Sequence, residues 1–150
     1  MFRDVSTGDG NAAEISVVLY DGVCGLCNAL IRFVIQRDRH NVFRFASLQS
    51  RFAARLLREF GADSSAMANV YVISDYGRPT QQLWVKSDAI LYILPRLGTP
   101  WPVTRFLRIV PRRIRDTAYD IVAANRYRLG RRHMCCLVPT TAEREKFIDT

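Results

Sequence analysis

The chain has 150 residues, of which 49% are hydrophobic and 24% are charged, a composition typical of one folded domain and not of a disordered chain. No apolar run approaches the roughly 18 residues that a membrane span requires, so no span is expected. The net charge is +8, but no compact basic run with interleaved aromatic residues accompanies it, so binding to nucleic acid is not expected.

Residues 1–14 are predicted to form a flexible lead-in to the first strand. This stretch has no apolar core and carries acidic residues, a pattern that differs from a secretory signal. We therefore expect a cytoplasmic protein. In that compartment thiols are kept reduced, and a cysteine pair is more often catalytic or metal-binding than structural.

Hydrophobic periodicity predicts seven elements in the first two thirds of the chain. In order they are a strand over 15–20, a helix from the first cysteines to 37, a strand over 42–46, a helix over 47–60, strands over 70–73 and 82–85, and a helix after Ser87. Gly61 is expected to end the second helix and Ser87 to cap the third. Turn residues between 74 and 79 predict that the last two strands form an antiparallel hairpin.

The order β-α-β-α-β-β-α predicts an α/β protein with a thioredoxin-like, four-stranded mixed sheet flanked by helices on both faces. The first strand, helix and strand should form a parallel pair with a right-handed crossover. We expect this core to occupy residues 15–98.

Residues 99–150 are predicted to form a helical extension and a tail packed on the same domain. Pro111 is well placed as the first residue of a helix that Gly130 ends. The buried side of this helix is predicted to consist of Ile114, Ala118, Tyr119, Ile121 and Val122. The extension also carries arginines that could dock an acidic partner or an anionic surface, although a solvated basic face is the preferred interpretation. They are Arg105, Arg108, Arg112, Arg113 and Arg115.

Cys24 and Cys27 are three residues apart, directly after a strand and at the head of a helix, which is a recognisable redox arrangement. A thiol attacks a disulfide as its thiolate, and a helix N-terminus stabilises negative charge by roughly 0.3–1 kcal/mol. We expect an exposed Cys24 to attack a protein or low-molecular-weight disulfide. Cys27, closer to the core, would then resolve the mixed disulfide. This chemistry needs no cofactor but requires a redox partner, which the sequence does not identify.

Asp21 lies at the end of the first strand, next to the cysteine pair, and has two equally weighted interpretations. Its carboxylate could accept or relay a proton for the buried thiol. Alternatively, it could bond local amides in the turn.

A zinc-stabilised binding or adaptor module is the alternative to redox chemistry. It would combine Cys24 and Cys27 with His133, Cys135 and Cys136 of the tail. H-x-C-C is not the usual spacing of a second zinc knuckle, so the redox interpretation is favoured. Adjacent cysteines would form a strained disulfide. Packing of one tail cysteine is therefore preferred to a second redox role.

The motif Y-D-G-V-C-G-L-C-N, residues 20–28, resembles the signature of the DCC family of thiol-disulfide oxidoreductases, named for an Asp and two Cys residues, here Asp21, Cys24 and Cys27. Further segments resemble the family: F-R-F-A-S-L-Q-S (43–50), K-S-D-A-I-L (86–91), R-D-x-x-Y (115–119), N-R-Y-R-L-G (125–130) and C-L-V-P-T (136–140). The resemblance implies a thioredoxin-like fold, dithiol–disulfide exchange, and Cys136 as the family's tail cysteine. The chain departs from thioredoxin itself in two respects. The dipeptide between the cysteines is Gly-Leu and not Gly-Pro, so the reduction potential of thioredoxin does not carry over. Residues 64–70 contain no proline where a cis-proline would face the cysteines, so a residue near Met67 replaces it or substrate docks differently.

Overall fold

The computed structural model describes residues 14–22, 24–62, 70–97, 101–125, 128 and 140–148. Its strands and α-helices are β1 (Ser16–Tyr20), α1 (Gly25–Arg37), β2 (Phe43–Ser47), α2 (Arg51–Glu59), β3 (Tyr71–Ser74), β4 (Gln82–Val85), α3 (Ser87–Ile93) and α4 (Arg112–Ala124). Short 3-10 helices occupy Leu94–Leu97, Trp101–Ile109 and Arg144–Lys146. Within these described residues, no helix is both long and apolar enough to cross a membrane.

The four strands form one mixed sheet with the spatial order β2-β1-β3-β4. β1 runs parallel to β2, and β3 is antiparallel to both β1 and β4. Tyr20 lies opposite Ser47, so the chain leaves both parallel strands at the same edge of the sheet. This arrangement confirms the predicted thioredoxin-like fold class and the hairpin of β3 and β4.

The sheet is covered by helices on both faces, as the sequence predicts. Alternate residues of β1 point to opposite sides. Val17 and Leu19 pack with α2, whereas Val18 and Tyr20 pack with α1 and α3. All of β1 is therefore buried, and it reads as a continuous apolar run because neither face meets water.

Both ends of α2 have local causes. The Ser50 hydroxyl accepts a hydrogen bond from the Ala53 N–H at 3.1 Å, so Ser50 is the N-cap and the helix begins later than the predicted residue 47. Gly61, with a φ of 67°, ends the helix as predicted, and its N–H donates to the Arg58 carbonyl at 3.0 Å.

The predicted cap at Ser87 is wrong. Lys86 occupies the N-cap of α3 with a φ of 57°, and its side chain makes no capping hydrogen bond. Ser87 is consequently the first helical residue. Its hydroxyl donates a hydrogen bond to the Asp116 carboxylate of α4.

The predicted buried side of α4 is also wrong. No residue of α4 is buried, and Ile114 and Ile121 are each 60% exposed. Pro111 is the N-cap and not the predicted first helical residue, so α4 begins one residue later, at Arg112. Gly130, the predicted end of the helix, lies outside the described residues. Of the five predicted residues, Tyr119 does contact the rest of the fold, whereas Ile114 and Ile121 are mostly exposed, so apolar spacing identified the contacting side of the helix only in part.

α4 is instead attached through polar side chains. The contacts join Arg115 to Asp88 at 2.9 Å, Asp116 to the Ser87 hydroxyl, and the Tyr119 hydroxyl to the backbone N–H of Val70 at 2.9 Å. These three α4 residues are the R-D-x-x-Y segment. The segment therefore holds α4 against the start of α3 and the residue before β3.

The C-terminal segment returns to β2. Phe147 is only 7% exposed, and its ring centroid lies 5.7 Å from that of Phe45. The Ile148 N–H donates to the Phe45 carbonyl at 3.0 Å. Nearby, Lys146 lies 3.6 Å from the buried carboxylate of Asp38.

Candidate active site

Cys24 is the N-cap of α1, with extended backbone angles and a sulfur that accepts a hydrogen bond from the Cys27 N–H at 3.5 Å. The sulfur thus takes the place that a Ser or Asp oxygen occupies at most helix starts. Neither cysteine is in a disulfide. The predicted position of the pair at the head of the helix is confirmed.

The exposure of the two thiols is the reverse of the expectation. Cys24 is 0% exposed, whereas Cys27 is only partly buried. The capping geometry accounts for this, because the Cys24 sulfur folds back over the first turn of α1 toward the Cys27 N–H. Cys27 lies in the turn itself and reaches the surface.

Asp21 is 1% exposed and is held from two directions. Its carbonyl accepts from the Cys24 N–H at 3.2 Å, which ties the turn after β1 to the start of α1. Its carboxylate accepts from the side-chain amide of Gln49 at 2.7 Å. The Gln49 oxygen in turn accepts from the Gly22 N–H at 3.1 Å and from the Ser47 hydroxyl.

The sequence interpretation missed Gln49. A signal was present, because β1 and β2 were predicted to be parallel and the carboxyl ends of parallel strands meet at one edge of a sheet. Residues just after β2 should therefore lie beside Asp21 and Gly22. The segment 43–50, which resembles the family, includes Gln49.

Asn28 was also missed as a site residue. Its side-chain amide donates to the Gly22 carbonyl at 3.1 Å, and the residue is only 7% exposed. The Asn28 side-chain oxygen has no hydrogen-bond partner among the described residues. Together with Gln49, Asn28 fixes Gly22 by both its N–H and its carbonyl, and so limits movement of the loop that leads to Cys24.

The zinc interpretation depends on residues that the structure does not describe. His133, Cys135 and Cys136 lie outside the described residues, as does the region around Met67 where a cis-proline would be expected. In the part of the chain that is described, no group of three or more His, Cys, Asp or Glu side chains could hold a metal ion.

Two of the five arginines that could form a docking surface are engaged within the fold. Arg112 lies 3.0 Å from Asp88, and Arg115 lies 2.9 Å from the same carboxylate. Arg108 and Arg113 are exposed, and the side chain of Arg105 is not among those that the structure describes. The basic surface is therefore smaller than the sequence count suggests.

Comparison with known proteins places this site in a family. The chain matches the DCC1-like thiol-disulfide oxidoreductase family over residues 18–132, a range that includes Asp21, Cys24 and Cys27. The chain belongs to this family. The resemblance seen in the sequence is confirmed, and the family description supports a thiol-disulfide oxidoreductase role.

Two relatives cover most of the chain. YuxK, an uncharacterized protein of Bacillus subtilis, is 32% identical over 132 residues, which are 88% of this chain and 93% of YuxK. A chloroplastic DCC family protein of Arabidopsis thaliana is 35% identical over 121 residues, 79% of this chain and 67% of that protein. No solved structure matches the chain.

Proposed function

We propose that the protein exchanges thiols and disulfides through Cys24 and Cys27. The observation that carries this proposal is the position of Cys24 as the N-cap of α1, where the Cys24 sulfur accepts a hydrogen bond from the Cys27 N–H. That position supplies an N–H donor and the positive end of a 13-residue helix to a developing thiolate. It also sets the second thiol one turn away.

In the reducing direction, one thiolate attacks a substrate disulfide, forms a mixed disulfide and releases the first substrate thiolate. The second cysteine then attacks the mixed disulfide, which releases the other substrate thiolate and leaves a Cys24–Cys27 disulfide. Two electrons pass from the dithiol to the substrate. A thiol reductant of protein or low molecular weight must then reduce the pair by the same steps in reverse.

Asp21 is proposed to assist by accepting or returning the proton of the buried thiol. Its burial and its bond to Gln49 hold the carboxylate beside the loop that carries Cys24. We also propose a reducing compartment such as the cytoplasm, because the pair must be regenerated as thiols.

The experiment is to mix the reduced protein with oxidised glutathione and follow the glutathione thiol released and the intact mass of the protein. We expect release of thiol together with a Cys24–Cys27 disulfide, located by peptide mapping. The matched control is the Cys24→Ser/Cys27→Ser double variant, which retains both tail cysteines. Each single Ser variant should instead accumulate a mixed disulfide.

Thiol release equal to that of the double variant would rule out the proposal. Metal analysis of protein purified under reducing conditions provides a second check. Stoichiometric zinc that is lost on Cys24→Ala would point to the zinc-stabilised module instead.

A further inference from the structure

Cys27 lies in the wall of a groove of about 560 Å³ between α1 and α4. The α1 side includes Leu26, Leu30 and Phe33, and the α4 side includes Ala118 and Val122. Apart from Cys27, every described lining residue is apolar or aromatic. The more accessible of the two thiols therefore borders an apolar surface.

The groove exists because of how α4 is attached. Polar contacts through Arg115, Asp116 and Tyr119 hold the helix in place and do not require its apolar side to be covered. Val122 is consequently 46% exposed although it lines the groove. The hydroxyl of Tyr119, another lining residue, already accepts from the Val70 N–H, so the described lining residues give the groove little polar character.

We propose that this groove binds the apolar residues that flank the reactive cystine of a polypeptide substrate, and that Cys27 is the sulfur that the substrate meets first. This inference rests on the proposed function. The Cys27 thiolate attacks the substrate disulfide and displaces one substrate thiolate. Cys24, which is buried, then attacks the Cys27 sulfur and displaces the second, so both electrons still come from the pair.

The apolar lining favours a polypeptide with apolar side chains over a charged small disulfide such as oxidised glutathione, because no charged group among the described lining residues would pair with the glutathione carboxylates. The groove is also long enough for a short peptide segment. Its α1 wall extends from Leu26 to Phe33, which at about 1.5 Å per residue is roughly 10 Å. An extended chain covers that distance in about three residues at ~3.3 Å each. The groove can therefore hold a substrate cysteine next to Cys27 together with an apolar side chain from a neighbouring substrate residue.

The first test measures the groove without any redox step. In a Cys24→Ser variant, which keeps an oxygen at the helix cap, Cys27 is alkylated with N-phenylmaleimide or N-(2-hydroxyethyl)maleimide, and the rates are divided by those of glutathione. Peptide mapping assigns the product to Cys27. We expect a preference for the phenyl reagent on the order of tenfold, the size of effect that a small apolar group has in an apolar pocket.

Two variants of α4 make the comparison specific. Val122→Glu places a charge in the groove and should remove most of the preference. Ile121→Glu places the same charge at the preceding residue, which is 60% exposed and is not among the described lining residues, and should leave the preference unchanged. Both positions are well exposed, so folding can be checked simply by circular dichroism. Equal preferences in the two variants would overturn the inference.

The second test uses disulfide-linked peptides in which cysteine is flanked by leucine or by serine. We expect the wild-type protein to reduce the leucine peptide about tenfold faster, and Val122→Glu to lower that ratio. A phenyl preference without a leucine preference would overturn the assignment to a polypeptide. Selective alkylation with no reduction of either peptide would leave the groove established and overturn the proposed function, so the two failures are distinguishable.

Discussion

The side-chain amide of Gln49 donates a 2.7 Å hydrogen bond to the carboxylate of Asp21, 28 residues earlier in the chain. The oxygen of the same amide accepts from the Gly22 N–H, so one side chain holds both residues that follow β1. The loop to Cys24 begins at these residues. Gln49 is therefore part of the structure that positions the first thiol, although it comes from the end of a different strand.

Gln49→Leu should destabilise the protein by about 1–3 kcal/mol, because it removes a donor from a buried carboxylate and an acceptor from the Gly22 N–H. Urea unfolding measures the change. The matched control is Gln36→Leu on the exposed side of α1, which should alter the free energy of unfolding by less than about 0.5 kcal/mol. Equal losses at the two positions would contradict the role given to Gln49.

Asp21→Asn separates the two interpretations of that residue. The asparagine oxygen can still accept from Gln49, but the side chain can no longer take up a proton at neutral pH. If Asp21 relays a proton, thiol–disulfide exchange should slow by about a hundredfold or more and lose part of its pH dependence. An unchanged rate–pH profile in a folded variant would leave only the hydrogen-bonding interpretation.

Tyr119→Phe should cost about 1–3 kcal/mol, because the buried N–H of Val70 loses its acceptor. Amide exchange at Val70 should accelerate, which is a local readout that a general loss of stability would not single out. Tyr76→Phe is the control. The Tyr76 hydroxyl has no hydrogen-bond partner in the described part of the chain, so its removal should change stability by less than about 0.5 kcal/mol.

Much of the sheet could be predicted because its causes are local. The continuous apolar run of β1, the stop at Gly61 and the turn residues of the hairpin each act within a few residues. The attachment of α4 could not be predicted in the same way. Apolar periodicity identifies one side of a helix, but Arg115 and Tyr119 acquire their partners only when the fold brings α3 and β3 to them.

The candidate site likewise contains features with local causes and features that depend on the folded structure. Cys24 and Cys27 follow from a local motif, and their place at the head of α1 was predicted correctly. Which thiol is exposed depends on packing around the first turn, and that was predicted wrongly. Gln49 joins the site through the parallel pairing of β1 and β2, so spacing along the chain does not reveal it.

The contact between Ser87 and Asp116 predicts a dependence of stability on pH. The Ser87 hydrogen bond is the main cause that lowers the pKa of Asp116 below its usual value, with help from Arg112 and Lys86 and against the effect of partial burial. The folded-state pKa is thus below the unfolded one. This contribution to stability is complete above the unfolded value, near pH 4, and is lost as the pH falls through the folded value.

Ser87→Ala should raise the pKa of Asp116 back toward the usual range and weaken the acid dependence of unfolding. NMR titration of the Asp116 carboxyl measures the first effect, and urea unfolding at several pH values measures the second. A titration curve that is the same in both proteins would show that Ser87 does not stabilise the charged carboxylate.

Phe147→Ala should destabilise the protein by about 3–5 kcal/mol, because it removes a ring that is 7% exposed and packed against Phe45. Phe106→Ala is the matched control, since that ring is 68% exposed and should be worth less than about 0.5 kcal/mol. Urea unfolding compares them. Domains are commonly stable by only about 5–15 kcal/mol, so a loss of the predicted size would make the C-terminal segment a requirement for folding and not an appendage. Similar small losses at both positions would mean that the segment does not hold β2 in solution.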